Sequence, residues 1–361
     1  MRLALKLLIG ALIFAALFIS PTAAAQQDEP AVSGALAPLF ADHSPLRMTI
    51  EAPLTTLMED RPELMYLDGT LTFAGYDGAR KTVDLKLRTR GNYRRGKDHC
   101  DFAPIRLNLR KKQVAGTVFD GQDKLKLVTH CKNNVSYYEQ IVMREYVAYR
   151  IFQLLTDKSY SVRPLQITYI DTEGARPMTK LAFVIEDDGD VAERAGMKSV
   201  KSPDITDNDH DPRQQNLVNV FEYMIGNTEY SLVRGEPNKN CCHNTDLMSA
   251  TGGPPYTPLP YDFDFAGIVN APYAQPNPRY DIRDVRIRLY KGVCKNNDLL
   301  PDTIQLFLQK KDAIYAAVEE LDLLKSRARR SVVSYLDAFY KRISTPKNID
   351  RNFVAKCLEK T

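Results

Sequence analysis

Oxygen-bearing side chains are grouped in a mostly irregular stretch in the second half of the chain. Asn227 and Glu229 follow an apolar, helix-like run. Asn244 comes next, and Asp262 and Asp264 end the group. Carboxylate and amide oxygens are ligands that Mg²⁺ and Mn²⁺ prefer, often together with the phosphates of a substrate. The same residue types are also common in turns and exposed loops. Their grouping favours a site for metal ions and phosphate.

Positively charged residues that could face phosphate come earlier in the chain. Residues 90–96 (RGNYRRG) form a basic segment whose glycines would let the backbone approach a ligand, although a solvated hairpin turn explains it equally well. Lys126 lies in an alternating segment typical of a strand, with Lys124 on the same face. We expect Arg90 and Lys126 to contact phosphate. Arg106 and Lys124 compete with Lys126 for that role.

Glu145 is an acidic residue on the apolar stripe of a predicted helix, Tyr137–Leu155. It lies on the same face as Tyr149. An inward carboxylate is costly unless it is paired. The pattern therefore predicts an ion pair between Glu145 and Lys124 or Lys126. The alternative is a position at the edge of the stripe, where the carboxylate reaches water.

The periodicity of the chain changes near Glu186. Before it, alternation of apolar and polar residues predicts short strands, and after it apolar periodicity predicts helices. We predict a β-rich N-lobe over residues 46–186 and a mostly helical C-lobe over residues 187–345. One helix begins at Pro212 and ends before Gly226. The other predicted elements are strands over 48–52, 71–73, 83–88, 105–110, 124–128, 163–170 and 180–186, and helices over 301–321 and 326–343.

Several short motifs follow one another between Leu85 and Val269. They are Arg90-Gly91-Asn92, the pair Arg144-Glu145, Asn227-Thr228-Glu229 followed by Asn244, and Asp262-Phe263-Asp264. In this region the chain resembles the spore-coat CotH family of atypical kinases and, more distantly, the HipA-type kinases. The family has aspartate where this chain has Glu229. The extra methylene displaces the carboxylate, and a misplacement of about 1 Å can cost on the order of 100-fold in rate.

The resemblance implies an α+β fold, namely a two-lobed, atypical protein-kinase-like fold that binds ATP between its lobes. It implies Mg²⁺ or Mn²⁺ on Asn244 and Asp262, with Asp264 holding a second ion. It also implies Glu229 as the catalytic carboxylate, with Asn227 beside it. The implied cofactor-binding residues are Lys126, Glu145, Arg90 and Glu186.

The resemblance predicts a kinase that transfers the γ-phosphoryl group of ATP to a protein or to another hydroxyl-bearing acceptor. The alternative is a non-catalytic pseudokinase that uses the cleft to bind a partner. A further alternative is a metal-dependent hydrolase. The chain has the acidic residues for such an enzyme, but its histidines are scattered rather than grouped. The formal charge of +4 is too small to imply nucleic-acid binding. The sequence leaves the oligomeric state open.

The beginning of the chain has the features of an export signal. Arg2 and Lys6 precede the apolar run Leu7–Ile19, and the small residues 23–25 suit cleavage. We predict a signal peptide over residues 1–25, a loose lead-in over 26–45 and a C-terminal tail over 346–361. The protein is then exported, periplasmic or secreted, without stable membrane insertion, because no later segment is apolar enough to span a bilayer.

Six cysteines are compatible with disulfide bonds in an oxidising compartment. We predict one bond between Cys100 and Cys131 and a second between Cys294 and either Cys241 or Cys242. A zinc site is the weaker alternative because the chain contains no C-x-x-C pair.

Overall fold

The structure is a computed structural model that describes residues 34–202, 204–235 and 240–359. The strands are β1 Leu46–Ala52, β2 Leu67–Ala74, β3 Arg80–Thr89, β4 Ile105–Leu109, β5 Lys124–Val128, β6 Val162–Asp171, β7 Met178–Ile185, β8 Lys198–Val200, β9 Thr245–Ser249 and β10 Thr257–Pro260. The helices are α1 Leu54–Asp60, α2 Lys111–Val114, α3 Tyr137–Leu155, α4 Asp188–Arg194, α5 Pro212–Ile225, α6 Leu300–Gln309, α7 Lys311–Glu319, α8 Ser326–Arg342 and α9 Pro346–Asn352.

Seven strands close into a barrel in the order β1-β2-β3-β4-β5-β7-β6. Neighbouring strands are antiparallel except at the closure, where β1 pairs with β6 in parallel and Leu46 lies opposite Leu165. Alternate residues of each strand point inward, as period-two alternation requires. On β5, Leu125 and Leu127 are fully buried within the barrel core, so Lys126 between them points to the outer face.

A second apolar core lies outside the barrel. Helix α3 packs on β6 and β7, and its side chains join those of α5 and of the C-terminal helices. Helix α5 begins after Asp211, whose carboxylate accepts a hydrogen bond from the Gln214 N–H at 2.7 Å. It ends at Gly226, whose φ of 71° suits glycine. A three-stranded antiparallel sheet in the order β10-β9-β8 completes the elements around this core.

The predicted two-lobed, atypical protein-kinase-like α+β fold is wrong. The strands before Glu186 form a closed barrel rather than the open sheet of a kinase N-lobe, and the described residues all belong to one compact unit, Val32–Thr361. The alternating strand pattern was correct locally. The closure was missed because it depends on the pairing of β1 with β6, which are far apart in the sequence.

Several local predictions are confirmed. Helix α3 has the predicted bounds, and α5 runs from Pro212 to the residue before Gly226. The predicted helix over 301–321 is instead two helices, α6 and α7, which meet at Lys310. In the described part of the lead-in, Leu39 and Phe40 are fully buried, so this part is anchored rather than loose. The predicted signal peptide lies outside the described residues.

Three disulfide bonds are present among the described residues. Cys100 is bonded to Cys131, as predicted. The second predicted bond is wrong, because Cys241 and Cys242 are bonded to each other and Cys294 is bonded to Cys357. Over the ranges that the structure describes, no helix is both long and apolar enough to cross a membrane.

Candidate functional site

A cleft of about 440 Å³ lies against the outer face of the barrel. It is bounded by the loop after β3, the strand β5, the helix α3 and the adjoining ends of β9 and β10. The predicted site residues that line it are Arg90, Lys126, Glu145, Glu229, Asn244, Asp262 and Asp264. Asn227 and Glu186 lie outside its lining. Residues separated by more than 170 positions thus form one cavity.

Strand pairing brings Asn244 and Asp262 together. Thr245 at the start of β9 lies opposite Pro260 at the end of β10, and the Tyr261 N–H donates to the Asn244 carbonyl oxygen at 3.0 Å. Asn244 and Asp262 both have left-handed backbones, with φ of 52° and 63°. This conformation is uncommon for residues other than glycine, although Asn and Asp adopt it most readily, and such strain is often found at functional sites.

Helix α3 fixes the position of Asp262. Tyr149 and Glu145 lie one helical turn apart and both face the cleft. The Asp262 N–H donates to the Tyr149 hydroxyl oxygen at 2.9 Å. The Asp262 side chain itself is exposed in the cleft, so its carboxylate is accessible to a ligand.

Glu145 faces a cation, but the cation is not the predicted lysine. Its Oε2 lies 3.8 Å from Nη1 of Arg94, and both side chains are buried. The predicted pair with Lys124 or Lys126 is therefore wrong. Burial raises the pKa of Glu145 well above its usual value, and the Asp264 carboxylate raises it further against the effect of Arg94.

Asp264 is the second buried carboxyl group that lines the cleft, after Glu145. Its pKa is raised to about 7, mainly by burial and then by the charge of Asp262. Arg94 and the hydroxyl of Tyr273, which donates to Asp264 Oδ2 at 3.1 Å, act in the opposite direction. A cationic ligand in the cleft would favour the charged forms of these carboxyl groups.

Lys126 lies between two aromatic rings. Its Nζ is 5.3 Å from the centre of the Tyr160 ring and 5.5 Å from that of Tyr261. Its nearest ion pair is with Asp188, at 4.0 Å. Burial lowers the pKa of Lys126, against the effect of the Asp246 carboxylate. Of the competing candidates, Arg106 pairs with Asp187 at 3.3 Å and Lys124 is exposed, and both lie outside the cleft lining.

The turn after α5 holds Glu229 at the edge of the cleft. The Glu229 N–H donates to Asn227 Oδ1 at 3.0 Å. On either side of Glu229, the Thr228 and Tyr230 carbonyl oxygens accept hydrogen bonds from Nζ of Lys291. Asn227 is therefore a positioning residue for the backbone of Glu229, and Lys291 holds the two neighbouring carbonyl groups.

Glu186 makes contacts that stabilise the fold and does not line the cleft. Its carboxylate is buried, accepts a hydrogen bond from the Ser161 N–H at 2.9 Å and pairs with Arg194 at 3.0 Å. Arg144 is likewise directed away from the cleft lining, since its Nη1 donates to the Val269 carbonyl oxygen at 3.1 Å. Both residues join elements around the site.

Comparison with known proteins adds no relative. No protein-family model matches the chain, and no curated protein matches it in sequence. The likeness to CotH-like kinases thus depends on the short motifs alone, and the chemistry has to be argued from the cleft.

The cleft fits a metal ion that arrives with phosphate better than a fully protein-bound ion. Among the described residues, no three His, Cys, Asp or Glu side chains are placed to hold a metal together. Magnesium is commonly bound by one or two carboxylates, with substrate phosphates and water as its other ligands. Asn244 and Asp262 both line the cleft and would supply such a partial set. Oε2 of Glu145, buried at the cleft wall, also lacks a hydrogen-bond partner within the described structure.

Arg94 and Tyr149 line the cleft, and Lys291 holds the turn that carries Glu229, but none of the three was predicted as a functional residue. Arg94 lies in the basic loop over residues 90–96. The sequence of this loop does not distinguish Arg94 from Arg90 or Arg95. Tyr149 was expected only as part of an apolar helix face. Lys291 lies in an irregular segment, and no local pattern indicates its contacts with residues 228 and 230.

Glu222 lies on α5, just before the turn that carries Glu229. It allows a prediction of how stability depends on pH. It is fully buried, and its pKa is raised to about 8, mainly by burial. The Asn227 amide and the Lys291 ammonium group oppose this shift, although the amide is not aligned for a regular hydrogen bond. Because the folded state retains a proton that the unfolded state releases, stability falls by about 1.4 kcal/mol per pH unit between about pH 4.3 and 8.

Glu222→Gln should remove this loss, since glutamine cannot ionise. Urea unfolding at pH 5 and pH 8 should show that the variant gains stability relative to the wild type as the pH rises, by a few kcal/mol. Glu320→Gln, at an exposed position, serves as the control and should leave the pH dependence unchanged. A pH-independent difference between variant and wild type would contradict the assignment.

Proposed function

We propose that this chain binds ATP with Mg²⁺ or Mn²⁺ in the cleft and transfers the γ-phosphoryl group to a hydroxyl acceptor. The observation that carries the proposal is that one cavity is lined both by cations and by oxygen-bearing side chains. Lys126 and Arg90 line it together with Asn244, Asp262 and Glu229. Cations, metal-binding oxygens and a carboxylate at one site are the parts that phosphoryl transfer requires.

Each group has a role that follows from its chemistry. Asn244 and Asp262 would hold the metal ion, which neutralises phosphate charge when bound. Lys126 and Arg90 would attract phosphate oxygens, and Lys126 is already desolvated between its aromatic neighbours. Glu229 would orient the acceptor hydroxyl and accept its proton. Pro104, Val128 and Ile185 give the cleft an apolar lining suited to a base.

The motif resemblance to CotH-like kinases supports this chemistry without requiring a kinase-like architecture. We also propose that the protein is exported, since residues 1–25 have the sequence features of an export signal and the described residues form three disulfide bonds. The second candidate is a non-catalytic binding module. The observation that favours it is the presence of Glu229 where the family has aspartate.

Purified mature protein, residues 26–361, tests the proposal. We expect Mn²⁺-ATP to raise the melting temperature by several degrees at concentrations well above its Kd, because a ligand that binds only the folded state stabilises it. With γ-labelled ATP we expect transfer of label to the protein or to an added acceptor. Adenosine with Mn²⁺, and ATP with a chelator, are the controls.

The outcomes separate the two candidates. Stabilisation with transfer supports the phosphotransferase. Stabilisation without transfer to any acceptor supports the binding module. Neither stabilisation nor transfer means that the proposed function is wrong.

A further inference from the structure

A second cavity of about 530 Å³ adjoins the cleft. Glu229 and His243 line both cavities, so the two meet at these residues. The backbones on either side are tied together, since the Ser231 and His243 N–H groups donate to each other's carbonyl oxygens at 2.9 and 3.1 Å. Glu229, which would receive the acceptor proton, can therefore be approached from a cavity whose lining is separate from Arg90, Lys126, Asn244 and Asp262. Such a cavity is large enough for a small molecule or a few peptide residues.

The charges of this second cavity are unequal. Its cations are Arg234, Arg279 and Lys291, and its acids are Asp207 and Glu229. Asp207 is occupied in part by the Gln215 amide, which donates to it at 2.7 Å. Arg234 and Arg279 are exposed, so both guanidinium groups can turn toward a ligand. The cavity therefore favours an anionic occupant.

Lys291 connects the charge of the second cavity to the backbone of Glu229. Its Nζ lies 4.0 Å from the centre of the Tyr230 ring and 5.5 Å from that of Tyr280. The same ammonium group binds the carbonyl oxygens on both sides of Glu229. Lys291 is thus held by the turn. The two exposed arginines at the mouth of this cavity, Arg234 and Arg279, remain as the groups that could recognise an anionic ligand.

We propose, on the basis of the proposed function, that this cavity binds the phosphate acceptor and that the acceptor hydroxyl has a carboxylate close to it. A serine or threonine between acidic residues has this chemistry, and so does a free hydroxy acid. In the transfer step the acceptor oxygen forms a bond to the γ-phosphorus, and the bond from that phosphorus to the β–γ bridging oxygen breaks. The hydroxyl proton passes to Glu229, and ADP leaves.

The test compares acceptors that differ only in charge. Three peptides with one serine, flanked by glutamate, alanine or lysine, are incubated with the mature protein and Mn²⁺-ATP, and gluconate represents a free hydroxy acid. We expect the glutamate peptide to exceed the lysine peptide by at least about ten-fold in kcat/KM. Turnover of gluconate but of no peptide would assign the acceptor to the free acids. Equal use of the three peptides without use of gluconate would overturn the proposal.

Charge reversal at the mouth provides a second measurement. Arg234→Glu with Arg279→Glu should raise the KM for the preferred acceptor about ten-fold and leave stabilisation by Mn²⁺-ATP unchanged. Arg80→Glu with Arg330→Glu, at exposed positions outside this cavity, makes the same charge change and should alter neither quantity. An unchanged acceptor KM in the first double variant would overturn the proposal.

The two proposals fail in different ways. If Mn²⁺-ATP does not stabilise the wild-type protein, the proposed function is wrong and the acceptor proposal falls with it. If Mn²⁺-ATP binds and label is transferred without regard to acceptor charge, only the acceptor proposal is wrong. The comparison of peptides uses the wild-type chain, so it does not depend on how the variants fold.

Discussion

Asp262→Asn is expected to abolish stabilisation by Mn²⁺-ATP and to lower phosphoryl transfer by on the order of 1,000-fold. The substitution removes an exposed negative charge from the lining of the cleft and keeps the size of the side chain. Asparagine also tolerates the left-handed backbone that Asp262 adopts, with φ of 63°. The hydrogen bond from the Asp262 N–H to the Tyr149 hydroxyl oxygen does not involve the Asp262 side chain and should persist. The effect should therefore come from metal binding rather than from folding.

The measurement combines thermal unfolding, with and without Mn²⁺-ATP, and transfer of label from ATP. Asp322→Asn is the matched control, since Asp322 is exposed and does not line the cleft. In the absence of ligand, Asp262→Asn should melt within a few degrees of the wild type. Retained Mn²⁺-dependent stabilisation in Asp262→Asn would mean that the metal site has been placed on the wrong residues.

The parts of the site that were predictable lie at the ends of local elements. The run into Gly226 and the Asp-x-Asp motif after the β10 segment each depend on a few neighbouring residues. A turn that releases a chain from a strand also exposes its polar side chains. Because Thr245 pairs with Pro260, two such turns lie side by side, and Asn244 meets Asp262. Residue types therefore identified every Arg, Lys, Asp and Glu side chain that lines the cleft except Arg94.

The architecture was not predictable in the same way. Barrel closure requires β1 to pair in parallel with β6, and the alternation within a strand is the same whether its partner is near or distant in the sequence. The partner of Glu145 depends on the same long-range geometry. The inward position of its carboxylate was readable from the helix, but the choice of Arg94 over Lys126 depends on how the loop after β3 folds toward α3.

Glu229→Gln is expected to lower kcat by about 100-fold or more and to leave stabilisation by Mn²⁺-ATP unchanged. Glutamine keeps the length of the side chain but cannot accept a proton, and general-base catalysis typically contributes on the order of 10²- to 10⁴-fold. Measurement of kcat and of the KM for ATP, with melting temperatures in both states, separates this effect from a loss of binding. Glu320→Gln is the control.

Glu229→Asp then tests whether the length of this side chain is adapted to the site. The backbone of Glu229 is held by Asn227 Oδ1 at 3.0 Å and by the contacts of Lys291 with both neighbouring carbonyl groups. Because these contacts hold the backbone of the turn, we expect a shorter side chain to draw the carboxylate back by about 1 Å or more. We expect kcat to fall by on the order of 100-fold. A rise in kcat would instead show that glutamate at this position limits the reaction and that the fixed turn is suited to aspartate.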